Sequence, residues 1–149
     1  MKRQLRILLL EDSRDDVALI QWELDRAGIA YTSLVVHDEG PFINALVSFR
    51  PDVVLADHTL PRFSSVEAFR MFQAYSKAFR RSIPFILVTG DVAIEFAAGF
   101  LSAGVDDFIS KDNLKKLPKA VEMAIERHRV VADRRNDSPK LYSEVRGWG

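Results

Sequence analysis

The run Leu5-Arg6-Ile7-Leu8-Leu9-Leu10, closed by the acidic pair Glu11-Asp12, sets the architecture of this chain. A short strand that is apolar on nearly every residue has no face to offer water. It must lie between two covering layers, as in a parallel sheet with helices above and below. Two further runs repeat the pattern: Val53-Val54-Leu55-Ala56 ahead of Asp57, and Phe85-Ile86-Leu87-Val88 ahead of Thr89. Weaker strand candidates are residues 31–36 and 106–110, the second running into Lys111.

Helical patterns fill the intervals. Ser13 stands three residues before Asp16 in capping-box spacing, and Val17, Ile20, Leu24 and Ala27 form an apolar stripe that stops at Gly28. Gly40-Pro41 opens a second helix ending before Pro51, and Ser64 with Glu67 caps a third from Val66 to about Phe79. A fourth covers roughly 93–102 and closes at Gly104, despite an internal Gly99. Pro118 cannot sit deep inside a helix, so a short turn is expected at 113–117 and the last helix near Pro118. Ala120, Val121, Ala124 and Ile125 give that helix a core face, and the charge-rich stretch 126–135 extends it as a solvated face. Residues 1–135 form the expected domain; from Asn136 to Gly149 periodicity is lost, which suggests a tail or linker.

Strand and helix alternate five times, the signature of an α/β domain with a parallel sheet and helices on both faces. In such sheets ligands gather at the carboxyl ends of the strands. Those ends carry Glu11, Asp12, Asp57, Thr89 and Lys111. Three converging carboxylates cannot all ionise cheaply without a cation among them, and hard oxygen ligands suit Mg²⁺. Lys111 would balance phosphoryl charge, Thr89 offers a hydroxyl donor, and Gly90 leaves room beside the backbone. Phosphoryl transfer depends mainly on positioning and electrostatics, so this set suffices for it.

The composition narrows the alternatives. The 149 residues are 48% hydrophobic and 28% charged, an ordinary globular mixture with core-forming capacity. Lys and Arg total 21, as do Asp and Glu, so no basic excess marks the chain as a nucleic-acid binder. There is no cysteine, which excludes disulfides and thiolate metal sites. The apolar N-terminal stretch is too short for a signal peptide and no membrane-spanning run occurs, so a cytoplasmic location is expected.

Taken in order, Glu11-Asp12, Asp57 followed by Leu60-Pro61, Thr89-Gly90 and Lys111 resemble the response-regulator receiver family of two-component signalling, over about residues 5–132. The resemblance implies a five-stranded, doubly wound, flavodoxin-like sheet of order 2-1-3-4-5. It implies that Asp57 takes a phosphoryl group from a sensor histidine kinase or a histidine phosphotransfer protein. It further implies Mg²⁺ or Mn²⁺ held by Glu11, Asp12, Asp57 and the main-chain carbonyl of Thr59, with Thr89 and Lys111 on the phosphoryl oxygens. Phe108 would be the switch aromatic that follows Thr89 inward. The fourth helix, last strand and last helix would form a contact face for a homodimer. Catalysis would be confined to gaining and losing phosphate at the chain's own Asp57.

Three departures from the family pattern stand out. Arg62-Phe63-Ser64-Ser65 replaces a glycine-containing turn, which implies a loop that is stiffer or shaped for a particular partner. Asp112 follows Lys111 where a cis proline is common; a non-proline cis bond would cost about 2.5–4 kcal/mol, so a trans bond is expected. Asp91 and Thr59 each lie two residues after a site residue, and Asp91 is a candidate for tuning phosphate loss. Other readings remain. A small-molecule phosphatase or phosphotransferase working through an aspartyl-phosphate often carries an acid two residues after its nucleophile, where this chain has Thr59. A flavodoxin-like nucleotide binder would have a Gly- or Ser-rich loop in place of Glu11-Asp12. A receiver-like scaffold would bind partners without phosphorylation. The chain is expected to be either a stand-alone or kinase-associated receiver, or a piece of a longer protein.

Overall fold

Alternation between one-sided helices and two-sided strands resolves here into three layers. The computed structural model describes residues 4–90 and 94–147, the stretch from 135 in its backbone course only. The elements run β1 (Leu5–Leu10), α1 (Arg14–Arg26), β2 (Tyr31–Val36), α2 (Glu39–Ser48), β3 (Val53–Ala56) and α3 (Ser65–Phe79). They continue with β4 (Phe85–Thr89), α4 (Ile94–Ala103), β5 (Asp107–Ser110), a 3₁₀ segment (Lys111–Lys116) and α5 (Leu117–Gly147). The five strands pair in parallel in the order β2-β1-β3-β4-β5, the expected doubly wound arrangement.

Strand pleating splits the core in two. Leu8, Leu10, Val54, Ala56, Phe85 and Leu87 face α2, α3 and Phe100 of α4. Their neighbours Ile7, Leu9, Val53, Leu55, Ile86, Val88 and Ile109 face α1 and α5. Side chains alternate across a strand, so β1, β3 and β4 must be apolar throughout. β2 shows a weaker pattern because it is an edge strand, with Leu34 and Val35 exposed.

The caps act as expected at two helices. Ser13 Oγ accepts from Asp16 N–H at 3.2 Å, and Ser64 Oγ accepts from Glu67 N–H at 3.1 Å. Phe63, which precedes the second cap, is buried against Phe42 with ring centroids 5.6 Å apart. The loop after Asp57 is thereby tied to the core, consistent with a stiff turn. No cis peptide bond occurs among the described residues, so Lys111–Asp112 is trans.

Two expectations need correction. Ala27 is exposed, not part of the apolar stripe, because α1 ends at Arg26 and Ala27 serves as its C-cap. The stretch after residue 135, expected as an aperiodic tail, continues α5 in its backbone as far as Gly147. Loss of apolar periodicity does not by itself end a helix. The fourth helix starts beside residues 91–93, and Asp91 lies outside the described residues.

One polar cluster sits at the far end of the sheet. His128 of α5 joins Ser82 Oγ through Nδ1 at 2.7 Å and Asp106 Oδ1 through Nε2 at 2.6 Å. Asp106 Oδ2 accepts from Phe85 N–H at 2.8 Å, which fixes the start of β4.

Leu55, on the central strand β3, is almost wholly enclosed. Leu55→Ala is expected to destabilise the fold by about 2–5 kcal/mol. Chemical denaturation would show this as a lower midpoint with an unchanged slope.

Candidate functional site

Register delivers the polar residues to one place. Leu10 pairs with Ala56 on one side and Val36 on the other, and Thr89 pairs with Ser110. The ladder extends one step further: Asp57 N–H donates to Leu10 O at 2.9 Å, and Glu11 N–H donates to Val36 O at 3.0 Å. Glu11, Asp57, Thr89 and Lys111 therefore all emerge at the carboxyl edge of the sheet. Glu11, Asp57 and Thr89 are buried, and Asp12 is exposed.

Glu11, Asp12 and Asp57 each present a ligand atom, and these atoms lie within 4.8 Å of one another. The Lys111 ammonium enters the same space. Its Nζ is 3.0 Å from Asp57 Oδ2, 2.8 Å from Glu11 Oε2 and 2.5 Å from Asp16 Oδ2. Thr59 folds back onto Asp57, with its N–H 3.2 Å and its Oγ1 3.3 Å from Oδ1. Glu11 Oε1 accepts from Ser13 N–H at 3.0 Å.

Buried atoms with unspent capacity remain. Glu11 Oε2 touches the ammonium but has no aligned hydrogen bond, and the buried Thr89 Oγ1 has no well-formed partner. An under-coordinated carboxylate oxygen among three hard oxygen donors fits a divalent cation. An exposed Asp12 would leave room for ligand waters.

The titration behaviour follows from these contacts. Burial raises Glu11 above the ordinary glutamate range; Lys111 and the Ser13 N–H oppose this, and the Asp57 charge adds to it. Burial also acts upward on Asp57, but Lys111, the Thr59 N–H and Thr89 outweigh it and hold the carboxyl below its usual range. Lys111 is opposed by burial, yet the carboxylates of Asp16, Glu11 and Asp57 around its ammonium raise it above the usual lysine value. It is therefore a fixed cation near neutral pH.

The signs differ for stability. Glu11 binds its proton more tightly in the fold, so its contribution is favourable while protonated and is lost as pH rises above the ordinary glutamate range. Asp57 stabilises the fold above the unfolded aspartate range, and that contribution is lost as pH falls through its lowered value.

Glu11, Asp12, Asp57, Thr59, Thr89 and Lys111 lie in this edge region; Phe108 is half-buried on β5 and packs against the α2–α3 core. Two neighbours went unassigned in the sequence reading. Asp16 appeared only as a capping partner, since nothing local ties the first turn of α1 to Lys111. His58, directly after Asp57, bonds Ser65 Oγ through Nδ1 at 2.7 Å and lies 4.3 Å from the Phe96 ring. No spacing pattern announces it.

A doubly wound sheet with carboxylates, a hydroxyl and a lysine at its carboxyl edge defines a receiver-type site. The family profile of the response regulator receiver domain matches residues 7–122, and the chain belongs to that family. Among curated proteins it is similar to the response regulator MprA of Mycobacterium ulcerans (strain Agy99), with 26% identity over 130 residues. That alignment covers 87% of this chain but 51% of the relative, so the chain spans about half the length of the curated relatives it matches. Among solved structures it is similar to the receiver domain of sensor histidine kinase PA1611 from Pseudomonas aeruginosa PAO1, which holds a magnesium ion in its active-site cleft. The TM-score is 0.68 at 24% identity, covering 83% of this chain and 99% of that one. A signal receiver domain of a Luxo repressor protein from Vibrio parahaemolyticus gives 0.70 at 19% identity, covering 86% and 95%. At these identities the structural likenesses speak for the fold alone.

Glu11→Gln removes a buried charge while keeping an acceptor for Ser13. It is expected to raise the thermal midpoint of the metal-free protein by a few degrees near neutral pH. The gain should shrink as pH is lowered into the carboxylate range, as followed by scanning calorimetry.

Proposed function

We propose that this chain is a phosphoacceptor receiver of a two-component phosphorelay. In this reading an Asp57 carboxylate oxygen attacks the phosphorus of a phosphohistidine on a sensor histidine kinase or histidine phosphotransfer protein. The P–N bond breaks, the histidine keeps the electron pair and takes a proton, and an aspartyl phosphate forms. The observation that carries the reading is a buried Asp57 at the sheet edge with the Lys111 ammonium 3.0 Å from Oδ2.

Glu11, Asp12, Asp57 and the main-chain carbonyl of Thr59 would hold Mg²⁺ or Mn²⁺. The ion supplies charge neutralisation for the carboxylates and the incoming phosphoryl oxygens. Lys111 supplies a second, permanent positive charge beside Asp57. The Thr89 hydroxyl, buried without a well-formed bond, is free to donate to a phosphoryl oxygen. That movement would vacate space toward which Phe108, the switch aromatic, can turn. Thr59 places a hydroxyl, not an acid, two residues after the nucleophile, and it bonds back to Asp57. No group there is equipped to drive repeated ester turnover, which supports a signalling module over a phosphatase.

Output through protein contacts, a cytoplasmic location and pairing of two copies through α4, β5 and α5 go with this reading. Exposed Phe96 and Leu101 give α4 apolar surface for such a contact. Among the described residues no helix is long and apolar enough to cross a membrane.

Incubation with acetyl phosphate and Mg²⁺, followed by intact-mass measurement, tests the proposal. One added phosphoryl group is expected in the parent and none in Asp57→Asn. Omitting the metal should abolish the gain. Steady release of phosphate from unrelated esters would favour the enzyme reading instead.

A further inference from the structure

Asp16 stands apart from the acidic group that fits a divalent ion, yet it makes the shortest contact to Lys111. The distance is 2.5 Å, against 2.8 Å to Glu11 and 3.0 Å to Asp57. The contact joins α1 to the end of β5 across 95 residues of sequence. Asp16 also stands on a fixed base. Its N–H is held by Ser13 Oγ at 3.2 Å, and the Ser13 N–H is held by Glu11 Oε1 at 3.0 Å. A carboxylate in the first turn of a helix is further favoured by the helix dipole.

The three carboxylates around Lys111 cease to be equivalent when a divalent ion binds. Glu11 and Asp57 would then share their charge with the metal, and their pull on the ammonium falls. Asp16 keeps its full charge. We propose that Asp16 is a positioning residue for phosphoryl transfer, a tether that holds the Lys111 ammonium beside Asp57 while the other two carboxylates are engaged.

This inference rests on the phosphoacceptor reading above. A lysine stem has many rotamers, and an untethered ammonium would spread over them at an entropic cost on each transfer. An ammonium has three donors, so one committed to Asp16 leaves two for Asp57 and a phosphoryl oxygen. Asp16 is also the strongest of the influences that keep Lys111 charged against burial.

The test combines two readouts on the full chain. The first is phosphorylation by acetyl phosphate in saturating Mg²⁺, compared across the parent, Asp16→Ala and Asp16→Glu. Asp16→Ala is expected to lower the rate at saturating donor about tenfold. The Mg²⁺ dissociation constant and the thermal midpoint should be little changed, and Asp16→Glu should restore part of the rate. An unchanged or faster rate in Asp16→Ala overturns the proposal, as does a matching loss of Mg²⁺ affinity. The second readout needs no phosphorylation: the Lys111 ammonium resonance of isotopically labelled, Mg²⁺-loaded protein. Slow hydrogen exchange in the parent and fast exchange in Asp16→Ala are expected; equal exchange overturns the tether. A parent that accepts no phosphoryl group would sink the receiver reading, while the resonance still decides whether Asp16 holds Lys111.

Discussion

Like charges gathered at the edge of an apolar sheet are the constraint around which this molecule is arranged. Parallel strands buried on both faces end together, so whatever polar residues follow them arrive at one place. Two unit charges as close as the Glu11 and Asp57 ligand atoms repel by roughly 3 kcal/mol at an effective dielectric near 20. Lys111 relieves that repulsion in the absence of metal, and it does so by contacting three carboxylates at once. Burial works against the charge as well: it is the main reason the Glu11 carboxyl stays above the ordinary range despite the neighbouring ammonium, with the Asp57 charge adding to it. Three carboxylates gathered this closely could hold a divalent cation, which would offset their charge further.

The loops that follow β1 and β3 are held rather than loose. Ser13 and Ser64 cap the helices that follow β1 and β3, and Phe63 anchors the second loop in the core. His58 adds a bond to Ser65 at the start of α3 and a ring contact to α4. Phosphoryl chemistry needs small errors in position, and these ties supply them from ordinary capping and packing. The same residues that start helices also fix the acids between them.

Legibility in the sequence followed burial. β1, β3 and β4 could be read because strands enclosed on both faces leave continuous apolar runs, and β2 was faint because an edge strand need not. Asp57 and Lys111 could be placed because each directly follows a strand. Ala27 was misjudged since the stripe was carried one residue past the end of α1. The helical course beyond 135 was missed because the reading relied on an apolar stripe, and a backbone can continue as a helix where the sequence shows none. Asp16, His58 and His128 act through bonds to distant elements, and no local period records a contact across 95 or 46 residues.

The outermost strand, β5, is secured at both of its ends. Asp106, just before it, is locked to His128 and to the Phe85 amide, and Lys111, just after it, is locked to Asp16, Glu11 and Asp57. Border strands ordinarily fray, and their open rim invites stray pairing with other chains. Held at either extremity, this one must break those contacts before it can peel away from its neighbour. Its rim is correspondingly a poor template for stray pairing, because opening either end breaks contacts between charged or polar side chains.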